Sequence, residues 1–245
     1  MDADETKINR RAALWALAMG AGGLTGLTQL HNRLPRDESG VPTLFRKTHE
    51  FNEGIARAVL APARGRDREF DKTSAIEPKN NYHGGTPEPD LDAWRLHFEE
   101  RELTLADLKK LPEVTQTTEL KCVEGWSAIT TWTGVRLADF FKAFPSTASF
   151  KEIPKYVSLR SEPEGFEGAW YYVGLDLESC EHPQTLLAYG MNGAPLTVEH
   201  GAPLRLIIPH KYGIKNIKLI THIALDWQRP ADYWAEQGYD WYAGL

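Results

Sequence analysis

Cysteine is scarce in this chain: Cys122 and Cys180 are the full complement in 245 residues. Two thiols cannot build the disulfide framework of a small secreted domain, so a chain of this length rests on a buried core. A basic excess is missing as well. Lys and Arg number 28 against 34 Asp and Glu, for a formal charge of −6, which argues against a nucleic-acid binder. The sequence contains neither Gly-x-Gly-x-x-Gly nor Gly-x-x-x-x-Gly-Lys-Ser/Thr, and no regular alternation of strand and helix. Neither a dinucleotide fold nor a phosphate-loop enzyme is therefore supported. Internal repeats and a Cys-x-x-Cys-His haem motif are also lacking.

Aromatic residues are plentiful, with eight Trp and nine Tyr. Many stand beside Gly, Pro or a charge, as the lining of a pocket or the rim of an interface would require. Near the start, Lys7, Arg10 and Arg11 precede residues 12–30, which carry no charge. Positive charge ahead of an apolar run marks a signal or an anchor. The adjacent arginines resemble a twin-arginine export signal, a route taken by proteins already folded around a cofactor. Leu27-Thr28-Gln29-Leu30-His31 offers no small-x-small cleavage pattern. Residues 1–30 are accordingly expected to be a twin-arginine-like signal or, in preference, an uncleaved anchor that attaches the chain to the inner membrane through residues 12–30, with the rest of the chain facing the periplasm. Residues 31–77 read as a tether wrapping onto a domain at 78–245.

Within that domain, residues 94–99 alternate with period two and predict a strand. Thr104 to Asp107 predicts a capped start to a short helix. Residues 118–122 predict a strand that delivers Cys122 to its end. A helix is expected over residues 137–144, where Leu137, Phe140, Phe141 and Phe144 share one stripe. Further strands are expected near 156–159, 170–174, 204–209 and 217–225, with a short helix over 176–182. The pattern is that of an α+β domain with irregular connections.

Four stretches carry polar residues that a core would not ask for. They are the loop around Asn80 to Gly84, the turn Lys121-Cys122-Val123-Glu124-Gly125-Trp126-Ser127, Arg160-Ser161-Glu162, and residues 200–218. The Cys122 thiol can serve as a ligand, as a nucleophile, or as a small buried hydrophobe. Lys211, Lys215 and Lys218, with Arg205 upstream, suit a phosphate group held by charge-assisted bonds, or else a solvated lysine face. A thiol and a phosphate cradle together fit one bound species with a soft, thiophilic end and a phosphate end.

Residues 78–227 resemble the molybdopterin-binding domain of the sulfite oxidase superfamily, in the bacterial branch related to the periplasmic methionine sulfoxide reductase catalytic subunit. The resemblance is carried by residues 121–127, by His182-Pro183-Gln184-Thr185-Leu186-Leu187, by Asn192-Gly193-Ala194-Pro195-Leu196, and by residues 200–218. It implies an α+β, sulfite-oxidase-like fold of mixed sheets with short helices and long loops, and a Mo-molybdopterin cofactor. It further implies that Cys122 is the thiolate ligand of the molybdenum and so the catalytic residue. Asn80, His83 and Gly84 match the loop that contacts the pterin, and Ser161 a hydroxyl near the cofactor. His200 and Arg205 match cofactor-binding positions, and Asn216, Ile217 and Lys218 the segment that holds the phosphate end.

The activity implied is oxygen-atom transfer. Sulfite oxidases proper carry an arginine just after the turn of the ligand cysteine, whereas this chain has Gly125-Trp126-Ser127. The resemblance thus favours reduction of S-oxides or N-oxides over oxidation of sulfite or another small sulfur compound. A non-catalytic membrane-anchored redox-complex subunit is the alternative from a different class. Electrons are expected to pass through a separate partner, a membrane cytochrome, a quinone-linked subunit or a soluble cytochrome c. Cys180 is expected to be structural, and the aromatic stretch 229–245 to pack back over the domain and border the mouth of the site.

Overall fold

The computed structural model of the chain describes residues 28–29, 32–60, 65–80, 86–146, 153–162 and 171–244. It divides into two units, residues 1–48 and residues 49–245. In the first, Asp37 accepts from the Val41 N–H at 2.9 Å and from Arg46 Nε at 2.6 Å, fixing the turn ahead of helix α1 (Thr43–Ile55).

The second unit is built on two sheets. In one, β1 (Leu96–Phe98) pairs antiparallel with β2 (Arg101–Leu103) and parallel with β10 (His222–Asp226). Strand β10 is antiparallel to β5 (Tyr156–Ser161), which in turn pairs with β6 (Tyr171–Asp176). In the other, β3 (Glu113–Lys121) and β4 (Ser127–Arg136) form a hairpin in continuous register from Glu113 opposite Val135 to Lys121 opposite Ser127. Strand β4 then pairs with β7 (Leu186–Met191), which also carries β8 (Ala194–Pro195) and β9 (Arg205–Ile207).

Local chemistry explains the short helices. Thr104 and Asp107 complete a reciprocal capping box at the start of α2 (Leu105–Leu108). Helix α3 (Leu137–Ala143) buries Leu137 and Phe140, and Phe140 meets Phe98 of β1 edge-on, with 5.2 Å between ring centres. Asp176 caps α4 (Leu177–Glu181) by accepting from the Ser179 N–H. Free Cys180 on this helix is fully buried in the main core, as expected of a structural thiol. A last short helix, α5, spans Tyr233–Glu236.

The strand that leaves the cysteine turn, β4, is not among those expected from the sequence pattern. Thr117 and Thr131 join hydroxyls at 2.8 Å, and Thr115 and Thr133 at 3.0 Å. These cross-strand pairs hold β4 extended up to the start of α3.

The expected attachment to the inner membrane through residues 12–30 is overturned. Among the described residues no helix is long and apolar enough to cross a membrane. Of the expected anchor, only Thr28 and Gln29 are described. The paired arginines lie outside the described residues.

Candidate functional site

Cys122 directly follows the last residue of β3. Its N–H donates to the Trp126 carbonyl at 2.9 Å, and the Gly125 N–H donates back to the Cys122 carbonyl at 3.1 Å. Gly125 closes this turn with φ +87°, a conformation that side chains rarely adopt. The thiol is half-buried, and burial pushes its pKa up, reinforced by the Glu124 carboxylate and opposed by the backbone N–H groups of Glu124 and Val123.

Against this turn lies Gly213. A Cβ built on it would come within 3.3 Å of the Lys121 carbonyl and 3.7 Å of Cys122 Cα. The single 3₁₀ turn Gly213–Lys215 then leads to Asn216, whose N–H returns to the Gly213 carbonyl. One short segment therefore connects the cysteine to a cluster of cations.

That cluster is held by direct hydrogen bonds. Arg205, 2% exposed on β9, donates to the His200 carbonyl at 3.0 Å and to the Asn216 carbonyl at 3.4 Å. Its guanidinium carbon lies 4.7 Å from the centre of the Trp132 ring. Asn216 accepts from the Ile208 N–H at 2.8 Å and donates to the Tyr212 carbonyl at 3.2 Å. Lys218 Nζ donates to Asn80 Oδ1 at 3.0 Å and to the Glu199 carbonyl at 2.8 Å. His200 Nε2 lies 2.7 Å from Glu77 Oε1, and its buried Nδ1 has no hydrogen-bond partner among the described residues. Burial, with Arg205 nearby, holds the Lys218 ammonium down at a pKa of about 7. Gly201, at φ +99°, lets the two segments close: a Cβ there would sit 2.8 Å from Lys218 Cβ.

Asn80, His200, Arg205, Asn216 and Lys218 are thus gathered into one cluster, and Ile217 is buried between the last two. Ser161 is buried at the end of β5, opposite Tyr171. The Tyr171 hydroxyl donates to the Ile214 carbonyl at 2.5 Å, which brings this strand end to the segment beside the cysteine. His83 and Gly84 lie outside the described residues.

The lysines of the 211–218 segment divide in a way that their spacing does not announce. Lys211 and Lys215 turn into the interior. Lys211 Nζ donates to the Tyr242 carbonyl at 2.9 Å and lies 3.5 Å from Asp176 Oδ2. Lys215 Nζ donates to Asp232 Oδ2 at 2.5 Å and to the Gly174 carbonyl at 2.8 Å. The expected cradle of three lysines is corrected to Lys218 with Arg205, because the other two ammonium groups are already matched inside the core.

A cavity of about 370 Å³ opens one residue beyond the cysteine. It is lined by Val123, Tyr212, Ile214 and the C-terminal residues Gln237 to Asp240, Ala243 and Gly244, together with His49. The aromatic C-terminal stretch does pack back onto the domain, with Trp241 and Tyr242 buried and the Tyr212 N–H bonded to the Ala243 carbonyl. Sequence reasoning missed the support beneath the cluster. Trp132 under Arg205 and Glu77 against His200 are contacts between distant segments, with no local signal.

Residues 83–234 match the family model described as oxidoreductase molybdopterin binding domain. A putative protein-methionine-sulfoxide reductase subunit YedZ1 of Azospira oryzae is 34% identical over 174 residues, covering 68% of this chain and 63% of that protein. The protein-methionine-sulfoxide reductase catalytic subunit MsrP of Xanthomonas axonopodis pv. citri is 41% identical over 124 residues, 47% of this chain and 37% of that protein. The chain therefore matches well under two thirds of the second relative's length and slightly under two thirds of the first's. Among solved structures, the sulfane dehydrogenase SoxCD of Paracoccus pantotrophus shares the fold at a TM-score of 0.51 and 20% identity, covering 65% of this chain and 47% of that one.

Proposed function

Because the chain belongs to the oxidoreductase molybdopterin-binding domain family, with Mo-molybdopterin as the cofactor, we propose that it catalyses oxygen-atom transfer and reduces a small S-oxide or N-oxide. When bound, the cofactor supplies a metal that exchanges an oxygen atom and two electrons with the substrate. The protein's part is to hold, orient and enclose it.

The residues present fit such a group. Arg205 lies close enough to Lys218 to disfavour its charge, and together with burial it outweighs the opposing pull of the Glu199 carboxylate. An anionic phosphate would relieve that repulsion. The buried, unpartnered His200 Nδ1 offers a bond to a polar edge. Cys122 would supply the thiolate, and a metal ligand would offset the burial that disfavours this ion. We assign Asn80, His200, Arg205, Asn216, Ile217 and Lys218 to the pterin and phosphate end and Ser161 to its vicinity. His83 and Gly84 join the pterin loop on the strength of the resemblance alone.

The observation that carries the reading is the link between a half-buried thiol and a cationic cluster through the single segment 213–218. The cavity favours a neutral substrate over sulfite. Its described lining includes Asp240 and neither Lys nor Arg, so a sulfite dianion entering there would meet a carboxylate and no permanently charged cation. Electron delivery is assigned to a separate partner, a membrane cytochrome, a quinone-linked subunit or a soluble cytochrome c.

The test uses protein made in a host that synthesises the cofactor, beside a Cys122→Ala variant. Molybdenum content should be high in the first and strongly reduced in the second. Turnover with reduced viologen should appear on some members of a panel of sulfoxides and N-oxides. Equal metal in both proteins would sink the ligation. Turnover of sulfite alone with an electron acceptor would overturn the reductase reading, and no turnover on any compound would favour a carrier subunit.

A further inference from the structure

We propose that Asp67, His182 and His210 form a second metal site, for a divalent ion of the zinc class, which ties the segment around residues 65–70 to the body of the domain. One ligand atom from each of the three residues lies within 4.8 Å of the other two. They come from three separated places. Asp67 lies on a segment whose Phe70 N–H donates to the Thr117 carbonyl of β3. His182 follows the last turn of α4, and buried His210 follows β9.

The edge between Asp67 and His210 is too wide for hydrogen bonding and close to what a metal needs. Asp67 Oδ2 and His210 Nδ1 are 3.8 Å apart, beyond the usual 2.7–3.2 Å of a hydrogen bond (about 2.9 Å). Ligand atoms around a tetrahedral zinc, with bonds of about 2.0–2.2 Å, stand roughly 3.3 Å from one another. Closing that edge needs a shift of about half an ångström, within reach of a small side-chain rotation. The two imidazoles are already adjacent, with ring centres 4.3 Å apart.

The donors are held rather than loose. Gln184, fully buried, accepts from the Asp67 N–H at 2.6 Å and donates to the Asp67 carbonyl at 3.0 Å. This double clamp fixes the backbone that carries the carboxylate, the role that outer contacts play around metal ligands. Among the described residues, the ring nitrogens of His182 make long contacts, 3.3 Å from the Gln184 N–H and 3.3 Å from the Gly65 carbonyl, so ligation through either gives up little. Two imidazoles and one carboxylate, without a thiolate, suit zinc, and three protein ligands leave one position for water or a carbonyl.

The test is a cobalt(II) titration of the untagged chain carrying Cys122→Ala, so that this thiol cannot be the ligand. One equivalent should bind with the visible absorption of a low-coordinate cobalt site and be displaced by zinc. Asp67→Asn and His182→Gln replace partly exposed side chains, and circular dichroism checks that both variants fold. Each should weaken binding by more than the roughly 10–100-fold that loss of an outer contact costs. Zinc should also slow tryptic cleavage at Arg66 and Arg68 in the parent and not in the variants. Absence of saturable binding at one equivalent, or equal affinity in the variants, would overturn the site.

Discussion

Lys218 Nζ and Asn80 Oδ1 meet at 3.0 Å across 138 residues of chain. This bond ties the loop at residue 80 to the segment that also carries Asn216, and so sets two sides of the proposed cofactor end against each other. Lys218→Met should leave the fold intact and lower the cofactor retained per polypeptide about tenfold or more, as loss of a charge-assisted phosphate contact would. Molybdenum and pterin analysis of the purified variant checks it. Unchanged content would remove Lys218 from the site.

Lys215 and Asp232 should behave in the opposite way. Their pair is buried on both sides, with side chains 1% and 2% exposed. Breaking it with Lys215→Met leaves a buried carboxylate unmatched, at a cost of about 3–5 kcal/mol. Urea unfolding should show that loss, whereas the folded fraction should keep its cofactor content. The Lys215→Met/Asp232→Leu double variant should recover part of the stability.

This division of the lysines marks what the sequence can and cannot say. The position of Cys122 at a strand end was legible because β3 runs into a Gly125 turn, both local signals. The stripe of α3, the cap at Thr104 and the short helix that starts at Asp176 were legible for the same reason. Lys211 and Lys215 looked like neighbours of Lys218 because spacing ignores the interior. Their partners Asp176, Asp232 and the Tyr242 carbonyl come from other segments. Strand β7 was missed because a short apolar run that is buried throughout has no period to separate strand from helix. The residues around Asp67, His182 and His210 share no motif in the chain.

Gly201 should tolerate no side chain. Its φ of +99° is unfavourable for any other residue, and a Cβ would stand 3.0 Å or less from Lys218 Cα and Cβ. Gly201→Ala should cost about 1–3 kcal/mol from backbone strain alone and displace Lys218 as well. Unfolding curves measure the first effect and cofactor content the second. A variant with normal stability would show that the close approach is not needed.

Cys122 should react slowly in cofactor-free protein. Burial raises its pKa, so less thiolate is present near neutral pH than for an ordinary cysteine. Alkylation by iodoacetamide should accelerate only at a pH above the midpoint of a free thiol, and cofactor-loaded protein should resist modification throughout. A midpoint below that of a free cysteine would contradict the effect of burial on the thiol.

Stability of the cofactor-free protein should rise with pH just above neutrality. Lys211 and Lys218 are each held down at about 7 by burial, against an ordinary 10.5. Above about pH 7 the folded state has released protons that the unfolded state still binds. The sign of the linkage then makes stability increase with pH, by up to ~1.4 kcal/mol per unit for each lysine. Above about pH 9 the buried thiol of Cys180 opposes the trend, because its raised pKa keeps a proton in the folded state that the unfolded chain gives up. The clean window is therefore about pH 7 to 9, followed by urea unfolding at fixed ionic strength. Lys218→Met should reduce the slope, leaving the share of the buried lysines Lys211 and Lys215. Inorganic pyrophosphate, as a stand-in for the phosphate end, should flatten the slope of the parent by keeping Lys218 charged in the folded state. A slope untouched by both changes would mean that Lys218 keeps its ordinary charge in the empty protein, and that its burial costs nothing for an anion to repay.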